Sequence, residues 1–259
     1  MSQNADDVVQ LEEAIQKYVR PQTFPVGVRR FEADADIPSN AKRPLRDLGF
    51  RVAICQALGI ARKYGWSLAL KGEDLSCPVA SLVHGFEEMT EAFRQGRSYE
   101  GMYNATLEAG QSTAAQVPRC EYHEQAGYVI SPLFKKDYAL EIAVIYGNPA
   151  QVLRLIHAYL WKRGGRMSSS TSGAVDCADI LTRTLRTGES QYVLPCYGDR
   201  IFGGVSDDEM VFAIPRHQFS EIAGGLEGTY KAGIRYPIPQ YLRFEGVFPA
   251  KYEAVRKGQ

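Results

Sequence analysis

The sequence lacks several features that would assign it to a common class of protein. Its 259 residues carry 30 Lys and Arg against 30 Asp and Glu, so the positive excess expected of a nucleic-acid-binding protein is missing. No apolar run approaches the roughly 20 residues of a membrane span, and the N-terminus has neither the basic nor the apolar region of a signal peptide. We therefore expect a cytoplasmic protein that binds neither nucleic acid nor membrane.

The sequence also lacks the motifs of several familiar mechanisms. The four histidines show no H-E-x-x-H spacing, and there is no G-x-S-x-G elbow. The Ser- and Thr-rich run 168–173 resembles a phosphate cradle in composition only, because it has no Walker lysine and no G-x-G-x-x-G after a strand. These absences disfavour a zinc hydrolase, an α/β-hydrolase mechanism and nucleotide binding.

Hydrophobic residues (45%) and charged residues (23%) occur in ordinary globular proportions. No linker, repeat or low-complexity tract divides the chain, so we expect a single domain over residues 1–223. Strand and helix patterns alternate, which favours an α/β fold with a mixed sheet flanked by helices, with α+β as the alternative. The predicted strands are 25–31, 66–70, 128–133, 140–146, 166–170, 191–194 and 210–214. The predicted helices cover 6–19, 50–64, 175–185 and 216–223, with others beginning at Pro78 and Pro149.

Residues 224–259 are rich in Gly, Pro, Tyr and Arg and are too aromatic for a free tail. We predict an extended C-terminal arm that packs either on its own domain or on a second subunit. Closed two-fold dimers are the commonest assembly of this kind, so we expect a homodimer.

Five cysteines are the most informative residues of the chain. They are Cys55, Cys77, Cys120, Cys177 and Cys196, and no two of them form a C-x-x-C pair, which excludes a zinc ribbon and a bacterial ferredoxin run. Three of them, Cys77, Cys177 and Cys196, each follow a predicted strand, so they could converge outside one edge of the sheet. Cys55 lies on the helix before the strand that leads to Cys77.

Two of these cysteines, Cys77 and Cys177, are also predicted at helix N-termini, where the helix dipole lowers a thiol pKa. Thiolates gathered in one pocket are the ligands that soft metals and iron–sulfur clusters require. The alternative is simple burial, because a free cysteine often behaves as a small hydrophobic residue. Cys120 is predicted in an exposed loop and stays outside the set.

A polar loop, Tyr197-Gly198-Asp199-Arg200, follows the predicted strand 191–194. Its Asp and Arg could bind an anion or place a carboxylate beside a pocket. An Asp–Arg pair in a tight loop is also a common structural ion pair, so both interpretations stay open.

Six blocks of this sequence resemble domain-of-unknown-function family 169. They are Cys55-Gln56-Ala57, Tyr64-Gly65-Trp66, Glu73-Asp74-Leu75-Ser76-Cys77-Pro78, Tyr146-Gly147-Asn148-Pro149-Ala150-Gln151-Val152, Asp176-Cys177-Ala178-Asp179 and Leu194-Pro195-Cys196-Tyr197-Gly198-Asp199-Arg200. The resemblance runs from about Pro25 to Tyr252. It implies occurrence in anaerobic bacteria and archaea and supports Cys55, Cys77, Cys177 and Cys196 as a set, but it names no reaction.

The leading hypothesis is therefore an iron–sulfur protein in which Cys55, Cys77, Cys177 and Cys196 bind a cluster, expected to be 4Fe–4S. It would act as an electron carrier or as an auxiliary or redox enzyme of anaerobic metabolism, with a redox partner protein or a small-molecule ligand. If one cysteine is not a ligand, an open iron could bind substrate, and Tyr197, Asp199 and Arg200 would line that site. The alternatives are a metal-free thiol redox enzyme or sensor, and a metal-free scaffolding or oligomeric binding module.

Overall fold

The computed structural model describes residues 3–135, 137, 139–238, 246 and 248–255, and within them six strands form one sheet. The strands are β1 (Val26–Phe31), β2 (Leu68–Leu70), β3 (Gly127–Pro132), β4 (Ile142–Gly147), β5 (Gln191–Val193) and β6 (Met210–Pro215). Their order across the sheet is β2-β3-β1-β4-β6-β5, and each of the five ladders between neighbours is antiparallel.

Helices cover both faces of this sheet. They are α1 (Gln3–Tyr18), α2 (Ile54–Tyr64), α3 (Pro78–Val83), α4 (Glu91–Arg94), α5 (Leu107–Gln116), α6 (Pro149–Arg163), α7 (Arg183–Thr187), α8 (Phe219–Lys231) and α9 (Ala250–Val255). Wider π-helical turns occur at Pro44–Leu48, Ala178–Thr182 and Asp199–Gly203. Two of them begin within three residues of a cysteine, and such turns are frequent at functional sites.

Two cores lie on opposite faces of the sheet because successive side chains of a strand point to opposite sides. In β4, Ala143 and Ile145 belong to the core shared with α1, α6 and α8. Val144 and Tyr146 belong to the second core, which includes α2, α3 and the helical residues 177–181. Because both faces are covered, all six residues of β4 are buried and the strand shows no polar alternation.

The predicted α/β single domain with helices flanking one sheet is confirmed, but strand direction differs from the expected mixture. All ladders between the described strands are antiparallel, which is the α+β arrangement, and parallel pairing is confined to isolated bridges such as that between Lys42 and Leu68. Six of the seven predicted strands are present. The predicted strand 166–170 forms no ladder with the described strands, because all of its side chains except Met167 are polar and give the sheet no apolar face to bury.

The helix predicted from residue 50 begins at Ile54 instead. The preceding backbone is engaged elsewhere: the Val52 amide donates to the Asp74 carbonyl at 2.8 Å, and the Ser76 amide donates to the Val52 carbonyl at 3.0 Å. These bonds tie the start of α2 to the segment before α3.

The extended arm predicted from residue 224 begins later, because α8 continues to Lys231. A Cβ at Gly225 would lie 2.2 Å from the Ala158 carbonyl oxygen, so glycine here permits close packing of α8 on α6. Past the helix, Asn148 Nδ2 donates to the Tyr236 hydroxyl at 3.3 Å, which places residue 236 against its own domain. The rest of the predicted arm lies partly outside the described residues.

None of the helices in the described part of the chain is both long and apolar enough to cross a membrane.

Candidate functional site

One cavity of about 460 Å³ brings together the four cysteines of the predicted set. Cys55 comes from the first turn of α2, and Cys77 is the N-cap residue of α3, where its sulfur accepts a hydrogen bond from the Ala80 amide at 3.5 Å. Cys177 lies in the helical turn before Ala178–Thr182, and Cys196 lies three residues after β5. Four elements that are distant in sequence therefore deliver one thiol each.

Two of the three cysteines that were predicted to follow a strand do so. Cys77 and Cys196 follow strands β2 and β5, as predicted. Cys177 does not follow a strand, because residues 166–170 form none, and it reaches the cavity on the helical segment itself.

The wall that completes the cavity carries four large apolar or aromatic side chains. Tyr99, Met102 and Tyr103 come from the segment between α4 and α5, and Phe202 comes from the turn Asp199–Gly203. Sequence reasoning missed the first three because residues 87–116 show neither helical nor strand periodicity. Ser98, within the same segment, also lines the cavity.

Burial dominates the protonation of the thiols. It raises the pKa of Cys55 and the pKa of Cys177, and nearby Asp176 adds to both effects. Burial, followed by the charge of Asp176, raises the pKa of Cys196 to about 12. The prediction of a lowered pKa for Cys177 is therefore wrong, because loss of hydration outweighs the helix dipole at a residue that is 7% exposed.

Two buried carboxyl groups lie beside Cys196. The Cys196 thiol donates to Asp176 Oδ1 at 3.0 Å, and the Tyr146 hydroxyl donates to Asp199 Oδ2 at 3.1 Å. Burial and the neighbouring Asp176 raise the pKa of Asp199 to about 9. Asp176 Oδ2 and Asp199 Oδ1 have no other hydrogen-bond partner, and one proton shared between the two carboxyl groups would satisfy both oxygens.

The electrostatics of the cavity favour a cation. Among the described residues that line it there is no Lys, Arg or His, while Asp176 and four thiols face it. Behind Tyr146, Arg62 stacks on the ring at 4.2 Å and pairs with Glu209 at 2.7 Å, so its charge is already engaged.

Tyr197, Asp199 and Arg200, the loop residues expected to bind substrate, are not among the residues that line the cavity. Tyr197 is 69% exposed, and Asp199 is buried in the carboxyl pair beneath the cavity. Arg200 donates to the Ser206 carbonyl at 2.7 Å and lies 3.7 Å from Asp207, so it pairs within its own loop. Of the loop residues, Gly198 alone lines the cavity together with Cys196.

Cys120 is buried, contrary to the expected exposed loop, and does not line this cavity. Its sulfur lies 3.9 Å from the Tyr128 hydroxyl and 3.8 Å from the Thr182 hydroxyl. Cys120 is thus a buried thiol in a separate polar cluster.

In the described residues, no three His, Cys, Asp or Glu side chains stand in an arrangement that could hold a metal ion. All five cysteines are free thiols. Four free thiols therefore line the cavity.

The fold and site define an α/β protein with antiparallel strands and a cavity lined by four thiols. The chain belongs to domain-of-unknown-function family 169, described as uncharacterised ArCR, whose profile matches residues 14–225. The predicted membership is confirmed, and the matched segment ends before Tyr252. The uncharacterized protein MJ0308 of Methanocaldococcus jannaschii is 27% identical over 176 residues, which cover 67% of this chain and 75% of that protein. No solved structure matches the chain.

Proposed function

We propose that the protein binds an iron–sulfur cluster, expected to be 4Fe–4S, through Cys55, Cys77, Cys177 and Cys196. It would serve as an electron carrier or as an auxiliary or redox enzyme. The observation that supports this proposal is the meeting of four thiols from four separate elements at one cavity. Cys120, the remaining cysteine, lies elsewhere.

Simple burial explains this arrangement less well than ligand binding does. Cysteines used only as small hydrophobic residues have no reason to face the same empty space, since an apolar core gains most from being filled. Here the thiols face a cavity of about 460 Å³. Asp176 lines the cavity, and no Lys, Arg or His is found among the described lining residues, so the cavity is poorly suited to an anion.

The chemistry of the four side chains supports this proposal, because thiolates are the usual ligands of iron–sulfur clusters. The raised pKa values of Cys55, Cys177 and Cys196 mean that these three thiols stay protonated until a cation replaces their protons, as is usual for thiolate sites. A single metal ion needs its ligands close together. The described residues contain no three His, Cys, Asp or Glu side chains that are close enough to hold one. A cluster spreads its ligands, because each thiolate binds a different iron.

When bound, such a cluster supplies reversible transfer of single electrons. The residues of the chain set its surroundings. The aromatic side chains of Tyr99, Tyr103 and Phe202 line the same cavity as the thiols. The Cys196 hydrogen bond to Asp176 orients that thiol, and Tyr146 in turn holds Asp199.

The test is metal content after expression and purification without oxygen. Iron, zinc and acid-labile sulfide per chain and the visible spectrum are measured for the natural protein and for Cys55→Ser, Cys77→Ser, Cys177→Ser and Cys196→Ser. Cys120→Ser is the matched control, because Cys120 is buried like Cys55, Cys177 and Cys196 but lies outside the cavity. We expect about four iron and four sulfide per chain in the natural protein and the control, and a clear loss in the other four variants.

Iron content that is unchanged in the four variants would overturn the proposal. Zinc without sulfide would replace it with a structural thiolate site. If neither iron nor zinc is found, even after reconstitution with iron and sulfide, the proposal is overturned as well. A thiol redox protein and a metal-free scaffold would then be the remaining hypotheses.

A further inference from the structure

We infer that the same cavity binds a small, uncharged organic molecule that carries a hydrogen-bond acceptor such as a carbonyl group, and that Tyr99 donates to this acceptor. This inference goes beyond the proposed cluster. It rests on the aromatic wall rather than on the thiols, so it can succeed or fail independently.

Tyr99 provides the main evidence. Its side chain lines the cavity and is 1% exposed, yet its hydroxyl has no hydrogen-bond partner among the described residues. Buried hydroxyl groups are normally paired, and an unpaired one at a cavity indicates a partner that enters from that space. The rings of Phe93 and Tyr103, at 5.7 and 6.4 Å between centroids, hold Tyr99 in place.

The hydroxyl acts as a donor rather than as a charged group. Burial raises the pKa of Tyr99, and the nearby thiols of Cys177 and Cys77 raise it further. The hydroxyl therefore keeps its proton at neutral pH. Its partner must accept a hydrogen bond, which an aliphatic or purely aromatic hydrocarbon cannot do well.

The rest of the wall fits an apolar body. Met102, Tyr103, Phe202, Pro78 and Val79 line the cavity with apolar or aromatic surface. Cavities of this size and composition, with few polar groups, are typical small-molecule sites, and a methionine adapts to irregular ligand shapes.

The charge distribution selects a neutral molecule over an anion. No basic side chain is found among the described lining residues, and Asp176 faces the cavity with Asp199 beside it. A carboxylate or phosphate would lose its hydration without gaining a cation to pair with.

The test compares three probes that share a phenyl ring. Acetophenone has a carbonyl acceptor, ethylbenzene lacks it, and benzoate carries a negative charge. Dissociation constants are measured by calorimetry or ligand-detected NMR on the full chain purified without oxygen, with iron content determined on the same samples. We expect acetophenone to bind about 3- to 10-fold more tightly than ethylbenzene, the difference that one neutral hydrogen bond makes. We expect benzoate to bind more weakly than both.

The variant Tyr99→Phe removes only the hydroxyl, so it should erase the preference for acetophenone and leave ethylbenzene binding unchanged. Tyr103→Phe is the control, because that ring lines the same cavity but is 39% exposed, and it should keep the preference. Equal affinity for acetophenone and ethylbenzene in the natural protein would overturn the inference whether or not the variants fold. Tighter binding of benzoate, or a preference retained in Tyr99→Phe, would overturn it as well.

The two proposals can be contradicted independently. If the protein contains no metal but prefers acetophenone, the ligand site is supported and the cluster is contradicted. If the protein contains iron and sulfide but shows no preference, the cluster is supported and the ligand site is contradicted.

Discussion

His84 shows how strongly a single buried residue can couple folding to pH. It is 0% exposed, and its Nδ1 lies 3.0 Å from the Tyr128 hydroxyl and 3.3 Å from the Thr182 hydroxyl. Its Nε2 has no hydrogen-bond partner. Burial lowers the pKa of His84 to about 3, because the imidazolium would lose its hydration without gaining a carboxylate.

The lowered pKa predicts a loss of stability in mild acid. The unfolded chain takes up a proton at His84 near pH 6.5, whereas the native state does so only near pH 3. The free energy of unfolding should therefore fall as the pH drops below 6.5. The slope from this one group approaches about 1.4 kcal/mol per pH unit.

Urea unfolding at pH 7 and pH 5 checks this, with His84→Asn as the comparison because Asn can still pair with the Tyr128 hydroxyl but cannot titrate. Between these pH values the natural protein should lose about 2 kcal/mol more than the variant. The carboxyl groups titrate in both proteins, so their contributions to the pH dependence of stability cancel when the two proteins are compared. Equal losses of stability in the natural protein and in His84→Asn would mean that His84 takes up its proton at the same pH in the native and the unfolded state.

The cysteines mark what a sequence can and cannot reveal at the residue scale. Their separation along the chain and their positions beside predicted strands indicated that Cys55, Cys77, Cys177 and Cys196 meet, and they line one cavity. Their protonation could not be predicted, because it depends on how deeply each thiol is buried and on Asp176 beside Cys196. Both properties arise only from the assembled fold.

At the scale of elements, the site depends on a close backbone contact between α2 and the turn Asp199–Gly203. A Cβ at Gly59 would lie 2.5 Å from the Gly203 carbonyl oxygen, and a Cβ at Gly203 would lie 3.0 Å from the Cys55 carbonyl oxygen. The two segments carry Cys55 and, just before the turn, Cys196. Glycine at these positions lets two thiols share one cavity.

Replacing Gly59 with alanine should therefore destabilise the protein, although alanine normally favours a helix. In an open helix the exchange stabilises by about 0.5–1 kcal/mol. The clash with Gly203 should reverse the sign, cost about 1–3 kcal/mol and reduce the iron bound per chain. Chemical unfolding and metal analysis measure the two effects.

Gly224→Ala is the control, because Gly224 lies inside α8 and a Cβ there meets nothing within 4 Å. It should stabilise by about 0.5–1 kcal/mol. If Gly59→Ala behaved like Gly224→Ala, the close contact between α2 and the turn would not exist.

Element boundaries were predictable where apolar periodicity was strong and not where it was weak. The Asn148-Pro149 signal placed the start of α6 correctly, and Asn148 Oδ1 accepts from the Gln151 amide at 3.0 Å. The sequence placed residues 87–116 only as helical or irregular, because α4 and α5 bury few residues of their own. Tyr99 and Tyr103 of the aromatic wall come from between these helices, so the sequence could not indicate them.

At the scale of the whole molecule, the sheet separates two layers with different tasks. One face carries the thiol cavity, and the other carries α1, α6 and α8, whose side chains form their own core. β4 contributes to both, since Tyr146 reaches Asp199 on the first face and Ile145 packs on the second. Loss of the helical layer should therefore disturb the cavity through the sheet.

The second half of α8 is essential to this layer. Arg154 of α6 is 1% exposed and has no carboxylate partner, and burial lowers its pKa. Its guanidinium donates to the Thr229 hydroxyl at 2.9 Å and to the Leu226 carbonyl at 3.1 Å. A chain that ended at residue 223, where the sequence suggested a domain boundary, would leave this buried charge without its acceptors.

Two truncated chains isolate that contribution. One ends at residue 223 and the other at residue 233, so both lack everything after 233 and differ only in the second half of α8. The longer chain should be more stable by at least about 3 kcal/mol. This is the typical cost of leaving a buried charge without its hydrogen-bond partners, to which the lost apolar burial of Leu226 adds. Urea unfolding followed by circular dichroism measures the difference, and failure of the shorter chain to fold would agree with it. Equal stability of the two chains would place the end of the domain at residue 223. It would also mean that the contacts of Arg154 with α8 contribute nothing to the free energy of unfolding.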